Sequence, residues 1–356
     1  MSERERVSTL ELFFDLVFVF VLTQLTEVLT EGHDLASLGR VAVMLTVIWW
    51  MYDGYAWLTN AISTERPRYR VLLLGGMGGF LIIALAVPQA NEGDGLAFAL
   101  AYLVVTLLHS GLFFGGATRE ILPIAVFNLA GAVLLVVGGA IGGDVQWVLW
   151  VIVAVVLWSS PAITGLEGLV VGAAHFVERH GLVIIIALGE SVVVIGVGAN
   201  GLELDFGLVL AALLGLALNA LLWWVYFSDE HEVEEAFEAE PTPQRALIGF
   251  GYWHLGLLLA VIAVAAGLKK GIAHPYDALE TWIAIGLAGG TALFVASDVG
   301  FRRTFGLVRN RVRGVVAVLA LATIPLGTEV GAAVQVAVLA ALVLAGALAE
   351  QREAAA

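Results

Sequence analysis

Apolar residues in this 356-residue chain come in long runs that polar clusters interrupt only briefly. About 20 apolar residues in helical conformation suffice to cross the hydrocarbon of a bilayer. Such stretches predict twelve helices, over 10–29, 38–60, 70–88, 96–116, 121–141, 145–163, 180–199, 206–228, 245–268, 278–298, 312–327 and 331–349. The eleventh is short and contains Pro325, so whether it and the twelfth are both full spans is left open. The longest polar stretches between spans hold about 15 residues, which leaves no soluble domain.

Basic residues read the topology independently. With the N-terminus in the cytoplasm, Arg4, Arg6, Arg66, Arg68, Arg70, Arg119, Arg179, Arg245, Arg302, Arg303, Arg309, Arg311, Arg313 and Arg352 all fall on the inner side. Only Arg40, Lys269 and Lys270 fall outside. The positive-inside bias then predicts a multi-pass protein of the cytoplasmic membrane with both termini cytoplasmic.

Composition agrees. Hydrophobic residues make up 60% of the chain and charged ones 13%, against about 25% charged in an ordinary soluble domain. With a mean hydropathy of +0.95, the fold class is an all-α integral membrane protein. The absence of cysteine excludes disulfides, thiol chemistry and Cys-ligated metals. A net charge of −14 argues against a nucleic-acid partner. Met1–Thr9 mixes charges and leads into an acid-bearing span, so it does not read as a cleavable signal peptide. An ATP-driven pump needs a soluble domain, and no GxxxxGK[ST] occurs.

The spans divide into two copies of a six-helix unit, residues 1–165 and 166–356. Trp49-Trp50-Met51-Tyr52 returns as Trp223-Trp224-Val225-Tyr226, 174 residues on. Asp15 matches Glu190 and Arg70 matches Arg245, both at 175, and Gly75 matches Gly249 at 174. Six spans per copy send both halves into the membrane in one direction, a parallel repeat of the kind transporters use around a site between halves. Four GxxxG pairs (Gly75/Gly79, Gly111/Gly115, Gly138/Gly142 and Gly286/Gly290) offer close helix packing.

Ionisable residues at membrane depth are costly, about 2.5–3.5 kcal/mol each on insertion scales, and call for a reason. Glu11 and Asp15, four apart, share one face of span 1, and Glu190 sits near the middle of span 7. The repeat would set Asp15 and Glu190 facing one another as a proton relay or cation site; the bland reading is that each bonds a neighbouring helix. His175-Phe176-Val177-Glu178-Arg179-His180 precedes span 7. There His175 and Glu178, three apart, share a face suited to a metal, a proton shuttle or a mutual pair. Glu190, 15 residues past His175, stands about 22 Å away along a straight helix, too far for one coordination shell. His109 and His254 lie mid-span, and their spacing does not require haem. Asp53, Tyr55, Trp57 and Asn60 form an aromatic and polar run suited equally to a cavity wall or an interfacial belt. Asp229 to Glu240 carries seven acids and reads as a solvated loop.

Glu11-Leu12-Phe13-Phe14-Asp15-Leu16-Val17-Phe18-Val19 resembles the bacterial low temperature requirement A (LtrA) family. So do, in order, Trp49–Asn60, His175-Phe-Val-Glu-Arg through Leu188-Gly189-Glu190-Ser191, Trp223–Phe227 and Gly251-Tyr252-Trp253-His254-Leu255. The resemblance implies a polytopic membrane protein without assigning it an activity. Its motif positions are Glu11, Asp15, Trp50, Asn60, His175, Glu178, Arg179, Glu190, Ser191 and His254. Phe13-Phe14-Asp15 also resembles potassium channels bearing Phe-Ser-Asp in the first helix, but departs at the middle residue.

The leading expectation is a secondary transporter or channel for a small solute or cation, coupled to protons through intramembrane carboxylates. Asp15, Glu190, Glu11, Asp53 and His254 form its candidate ion or proton site, and His175, Glu178 and Arg179 its cytoplasmic gate. Trp50, Tyr52, Asn60, Ser191, Trp224 and Tyr226 are candidates for a cavity wall. The alternatives are an intramembrane enzyme acting on lipid, with or without a metal, and a non-catalytic sensor or scaffold. No nucleophile–base pair at short spacing and no HExxH favours the enzyme. No cofactor is expected, a metal and a homo-oligomer are left open, and the partners are the bilayer and a small solute or cation.

Overall fold

Each of the twelve predicted spans is helical in the computed structural model, which describes residues 7–32, 34–61, 66–116, 122–166, 169, 171–307 and 311–355. The first eight spans are α1 (Thr9–Glu31), α2 (Leu35–Ala61), α3 (Pro67–Asn91), α4 (Leu96–Gly116), α5 (Leu122–Ile141), α6 (Gly143–Thr164), α7 (Ala173–Gly198) and α8 (Phe206–Phe227). A short helix α9 (Glu230–Ala239) follows. The ninth span joins α10 (Pro243–Ala246), a π-helical stretch (Leu247–Trp253) and α11 (His254–Ala273). The tenth is α12 (Thr281–Thr304), the eleventh is split into α13 (Arg311–Leu321) and α14 (Ile324–Glu329), and the last is α15 (Ala332–Ala355).

Four features depart from the expectation. Helix α7 begins at Ala173 rather than near 180, because the polar residues that hide its first turns from a hydropathy reading are buried against partners. The acidic stretch is a helix rather than a loop: α9 buries Val233 and Phe237 and turns its acids outward, with Phe237 against Phe250. Pro325 has no N–H to donate and its ring clashes with the carbonyl four residues back, so α13 stops at Leu321 and α14 restarts with the proline in its first turn. Within the π-helical stretch, whose hydrogen bonds run to the fifth residue, the Gly251 carbonyl accepts from the Trp49 indole N–H at 2.9 Å.

The chain divides into two compact units. The first holds Met1–Val28, Ala36–Val183 and Phe237–Gly251, and the second Leu29–Leu35, Ile184–Ala236 and Tyr252–Ala356, so the boundary runs through α7. In the first, α3, α4, α5 and α6 pack on one another in sequence order. Buried Gln146 pins α6 to the α3–α4 turn, accepting from Gly95 N and donating to Ala90 O, both at 2.8 Å. In the second, α12 packs on α11 and α13, and α15 on α8 and α13. Outward leucines, valines and isoleucines such as Leu85, Val126, Val155 and Ile163 remain exposed, as a lipid-facing surface requires.

The GxxxG pairs separate into packing and non-packing cases. A Cβ on Gly79 would lie 2.3 Å from Val105 of α4, and one on Gly290 3.0 Å from Ala260 O of α11. Gly111 has open space around its Cβ position; Gly138 packs on α6, where a Cβ would lie 3.1 Å from Trp150, while Gly142 forms a turn at φ +75°. Gly79→Leu should therefore cost about 1–3 kcal/mol through overpacking and lower the thermal midpoint of the detergent-solubilised protein. Gly111→Ala should leave it unchanged.

Candidate functional site

Helix α1 opens with Ser8-Thr9-Leu10-Glu11, a capping box in which Ser8 Oγ accepts from Glu11 N and Glu11 Oε2 accepts from Ser8 N at 2.8 Å. This local bond fixes the Glu11 side chain and leaves Oε1 to point away from the cap. Asp15, one turn on, shares its face. Helix α7 presents a matching pair one turn apart, His175 and Arg179. Arg179 donates through one terminal nitrogen to Glu11 Oε1 at 2.7 Å and Thr59 Oγ1 at 3.2 Å, and through the other to Asp15 Oδ1 at 3.1 Å. His175 Nε2 meets Glu11 Oε1 at 3.0 Å, and the Tyr52 hydroxyl donates to Asp15 Oδ1. Asp15 is 0% exposed and Arg179 1%. Two carboxylates thus face one guanidinium, leaving a formal charge of −1 with His175 neutral and zero with it protonated. Three atoms of the cluster, Asp15 Oδ2, His175 Nδ1 and Arg179 Nε, are buried without a hydrogen-bond partner among the described residues.

A second histidine–carboxylate pair lies next along α7. His180 Nε2 faces Asp53 Oδ1 at 3.2 Å while its Nδ1 faces the Phe176 carbonyl at 2.9 Å. Both ring nitrogens point at acceptors, so a doubly protonated ring makes both hydrogen bonds and a neutral ring only one. Asp53 Oδ2 also accepts from Trp57 Nε1 at 3.2 Å. Asp53 lines a cavity of about 60 Å³ in the first unit, with Trp50, Trp57, His109, Phe113 and Asn128 among its walls. Trp50 Nε1 donates to Asn128 Oδ1 at 2.8 Å, which fixes both side chains there.

A profile of the bacterial low temperature requirement A protein (LtrA) matches residues 6–348. The chain belongs to the LtrA family. An uncharacterized protein of Rhizobium meliloti (strain 1021) is 30% identical over 322 residues, which cover 85% of this chain and 78% of that protein. The motifs through which the chain resembles LtrA proteins hold both charged pairs, Glu11/Asp15 and His175/Arg179, so the family pattern and the α1–α7 junction coincide.

Several candidate residues of this LtrA chain lie elsewhere than the sequence places them. The partner that holds Asp15 in the first unit is a cation, Arg179. His175 and Glu178 do not pair: Glu178 Oε2 accepts from Val7 N at 2.9 Å while His175 turns to Glu11. Arg179 is not a loop residue but the centre of a buried cluster on α7. Tyr52 is buried among Phe14, Phe18 and Trp49 rather than on the cavity wall. Asn60 accepts from Gly172 N at 3.0 Å, and Trp224 is exposed on α8. Ser191 is buried, and its Oγ has no hydrogen-bond partner among the described residues. His254 Nε2 is bonded to the Tyr226 hydroxyl at 2.8 Å in the second unit. Among the described residues no three His, Asp or Glu side chains are grouped as a metal site.

The sequence reading missed a second ionic cluster. Buried Arg313 of α13 donates to Glu350 Oε2 at 2.8 Å, Val225 O at 3.0 Å, Ser228 Oγ at 3.1 Å, Asp229 Oδ2 at 3.2 Å and Asp298, tying α8, α12, α13 and α15 together. Arg302 pairs with Asp229. Asp298, an acid at the end of an apolar span with arginines across the following turn, was the available signal. Arg179, Arg302 and Arg313 therefore are not free loop charges, and Arg4, Arg6, Arg119 and Arg309 lie outside the described residues.

Removing one partner of a buried charge cluster leaves the others uncompensated, at about 3–5 kcal/mol. Arg179→Leu should lower the thermal midpoint in detergent accordingly. Adding Glu11→Gln and Asp15→Asn to the same chain should recover part of the loss, whereas a further loss would show that the carboxylates are held by something else.

Proposed function

We propose that this LtrA protein is a proton-coupled secondary transporter for a small solute or cation. Its proton site is the α1–α2–α7 junction and its solute site the cavity beside it. One observation carries the reading: Asp53 is both the acid on the cavity wall and the partner of His180, so the charge state of the α7 histidine and the occupancy of the cavity act on the same carboxylate. Asp15 Oδ2 and His175 Nδ1 supply two further basic positions with no competing donor among the described residues. A proton taken up at His175 neutralises the cluster, which is the kind of switch that lets a charge sit inside a membrane in one state and move in another.

Equivalent contacts within the two units support a duplicated architecture. Tyr52 packs edge-on against Phe80 at 6.5 Å between ring centres, and 174 residues later Tyr226 packs edge-on against His254 at 5.6 Å. Gln146 and Gln335 each stand at the fourth position of the sixth span of their half, and each donates to a buried carbonyl of an earlier helix. With the buried Arg179, Arg302 and Arg313 set aside, eleven basic residues still fall on the inner side against three outside. That bias supports cytoplasmic termini.

Proteoliposomes on a solid-supported membrane test the assignment. Concentration jumps across a panel of small solutes should evoke currents that depend on an imposed proton gradient. His175→Gln and Asp53→Asn, each reconstituted to the same density, should reduce them by about tenfold or more, the scale on which proton-transfer groups act. Gradient-independent currents, no currents at all, or equal currents in the wild type and both variants would overturn the proposal.

A further inference from the structure

The wall of the first-unit cavity has a specific chemical character. Among the described residues Asp53 is the only acid that lines it, and no Lys or Arg does. Trp50, Trp57 and Phe113 contribute aromatic surface, whose faces attract cations. Asn128 Oδ1 has a second lone pair beyond the one that Trp50 Nε1 uses. His109 is 6% exposed, and its Nε2 has no hydrogen-bond partner among the described residues. The ring fits there because residue 54 is glycine: a Cβ at Gly54 would come within 3.2 Å of that nitrogen. In the tautomer that leaves Nε2 unprotonated it is an acceptor buried without a donor, which costs free energy unless something fills it. A carboxylate, an amide oxygen and an unpartnered imidazole nitrogen, set among indole and phenyl rings, together want a cation with several N–H donors and a short hydrocarbon part.

We infer that this cavity binds a small primary ammonium ion. The ammonium group meets Asp53, His109 Nε2 and Asn128 Oδ1, and its alkyl part lies against Trp50, Trp57 and Phe113. At about 10–15 Å³ of such space per water, a cavity of about 60 Å³ holds four to six non-hydrogen atoms, the size of propylammonium to pentylammonium. A bare metal ion lacks the oxygen ligands it needs here, and an anion meets only a carboxylate and ring faces. The inference rests on the transport reading for its consequence, since the ammonium and a proton on His180 would share Asp53 and so exchange for one another. Binding itself stands apart from transport and is measured apart from it.

The test is calorimetric titration of the whole purified chain in detergent with propylammonium chloride, using sodium chloride as the ionic-strength control. Saturable binding is expected in about the millimolar range, where so small a ligand falls. Propionate should not bind, and 1-propanol should bind at least about tenfold more weakly, because it lacks the charge. Asp53→Asn should weaken propylammonium binding by about tenfold or more. Ser110→Leu fills the cavity without touching the Asp53–His180 pair and should abolish binding while the chain keeps its elution volume and thermal midpoint. No saturable binding to the wild type, equal binding of propylammonium and propanol, or wild-type binding by folded Ser110→Leu would overturn the inference. Propylammonium binding without any transport current would overturn the transporter assignment alone. Proton-coupled currents with another solute, and no propylammonium binding, would overturn this inference alone.

Discussion

Arg179 between Glu11 and Asp15 is the contact on which the first unit depends. A lone guanidinium or carboxylate in a low-dielectric interior is too costly to persist, and burial becomes tolerable only when opposite charges meet with hydrogen bonds to spare. The geometry follows from two periodicities. Glu11 and Asp15 stand one turn apart on α1, His175 and Arg179 one turn apart on α7, and the two faces interlock as a four-residue unit. Tyr52 and Thr59 of α2 close it from the third side. This pairing lets α7 begin at Ala173 with a polar first half that hydropathy would assign to a loop.

The two buried clusters solve the same problem with different margins. Arg313 of the second unit uses all of its donors, on two carboxylates, a third acid's oxygen, a serine and a carbonyl, and so ties four helices at one point. Arg179 leaves its Nε unpartnered, and around it a carboxylate oxygen and an imidazole nitrogen are unpartnered too. The Arg313 cluster has open positions of its own, since Asp298 Oδ1 and Arg302 Nε are likewise unpartnered among the described residues. What separates them is the arginine itself: every donor of Arg313 is used, whereas one of Arg179 is not.

Much of the architecture was legible in order and type. Twelve apolar runs became twelve helical spans because the bilayer length requirement acts on each segment by itself, whatever its neighbours are. The depth of the acids was legible as well, since Glu11, Asp15 and Asp53 stand within apolar runs, and all three are buried. Their partners were not. Arg179 was counted among loop charges because its helix could not be extended backwards without knowing that Glu11 would receive it, and nothing local in the sequence paired Arg302 with Asp229 or Arg313 with Asp298. The α9 helix escaped because only two of its residues are buried, too few to show a period in an acidic stretch.

The residue order by itself determined that this chain is a polytopic helical membrane protein of the LtrA family, how many spans it has and in what order, and which acids lie inside them. Those properties are local, set by hydrophobic length and by motifs a few residues long. Only the tertiary structure decided that Asp15 is held by a cation, that His180 shares Asp53 with a cavity, and that His109 is left with an unpartnered nitrogen on that wall. Each of these depends on side chains brought together from helices more than fifty residues apart in the chain, and pairing over such distances is fixed by packing, which no periodicity along one helix encodes.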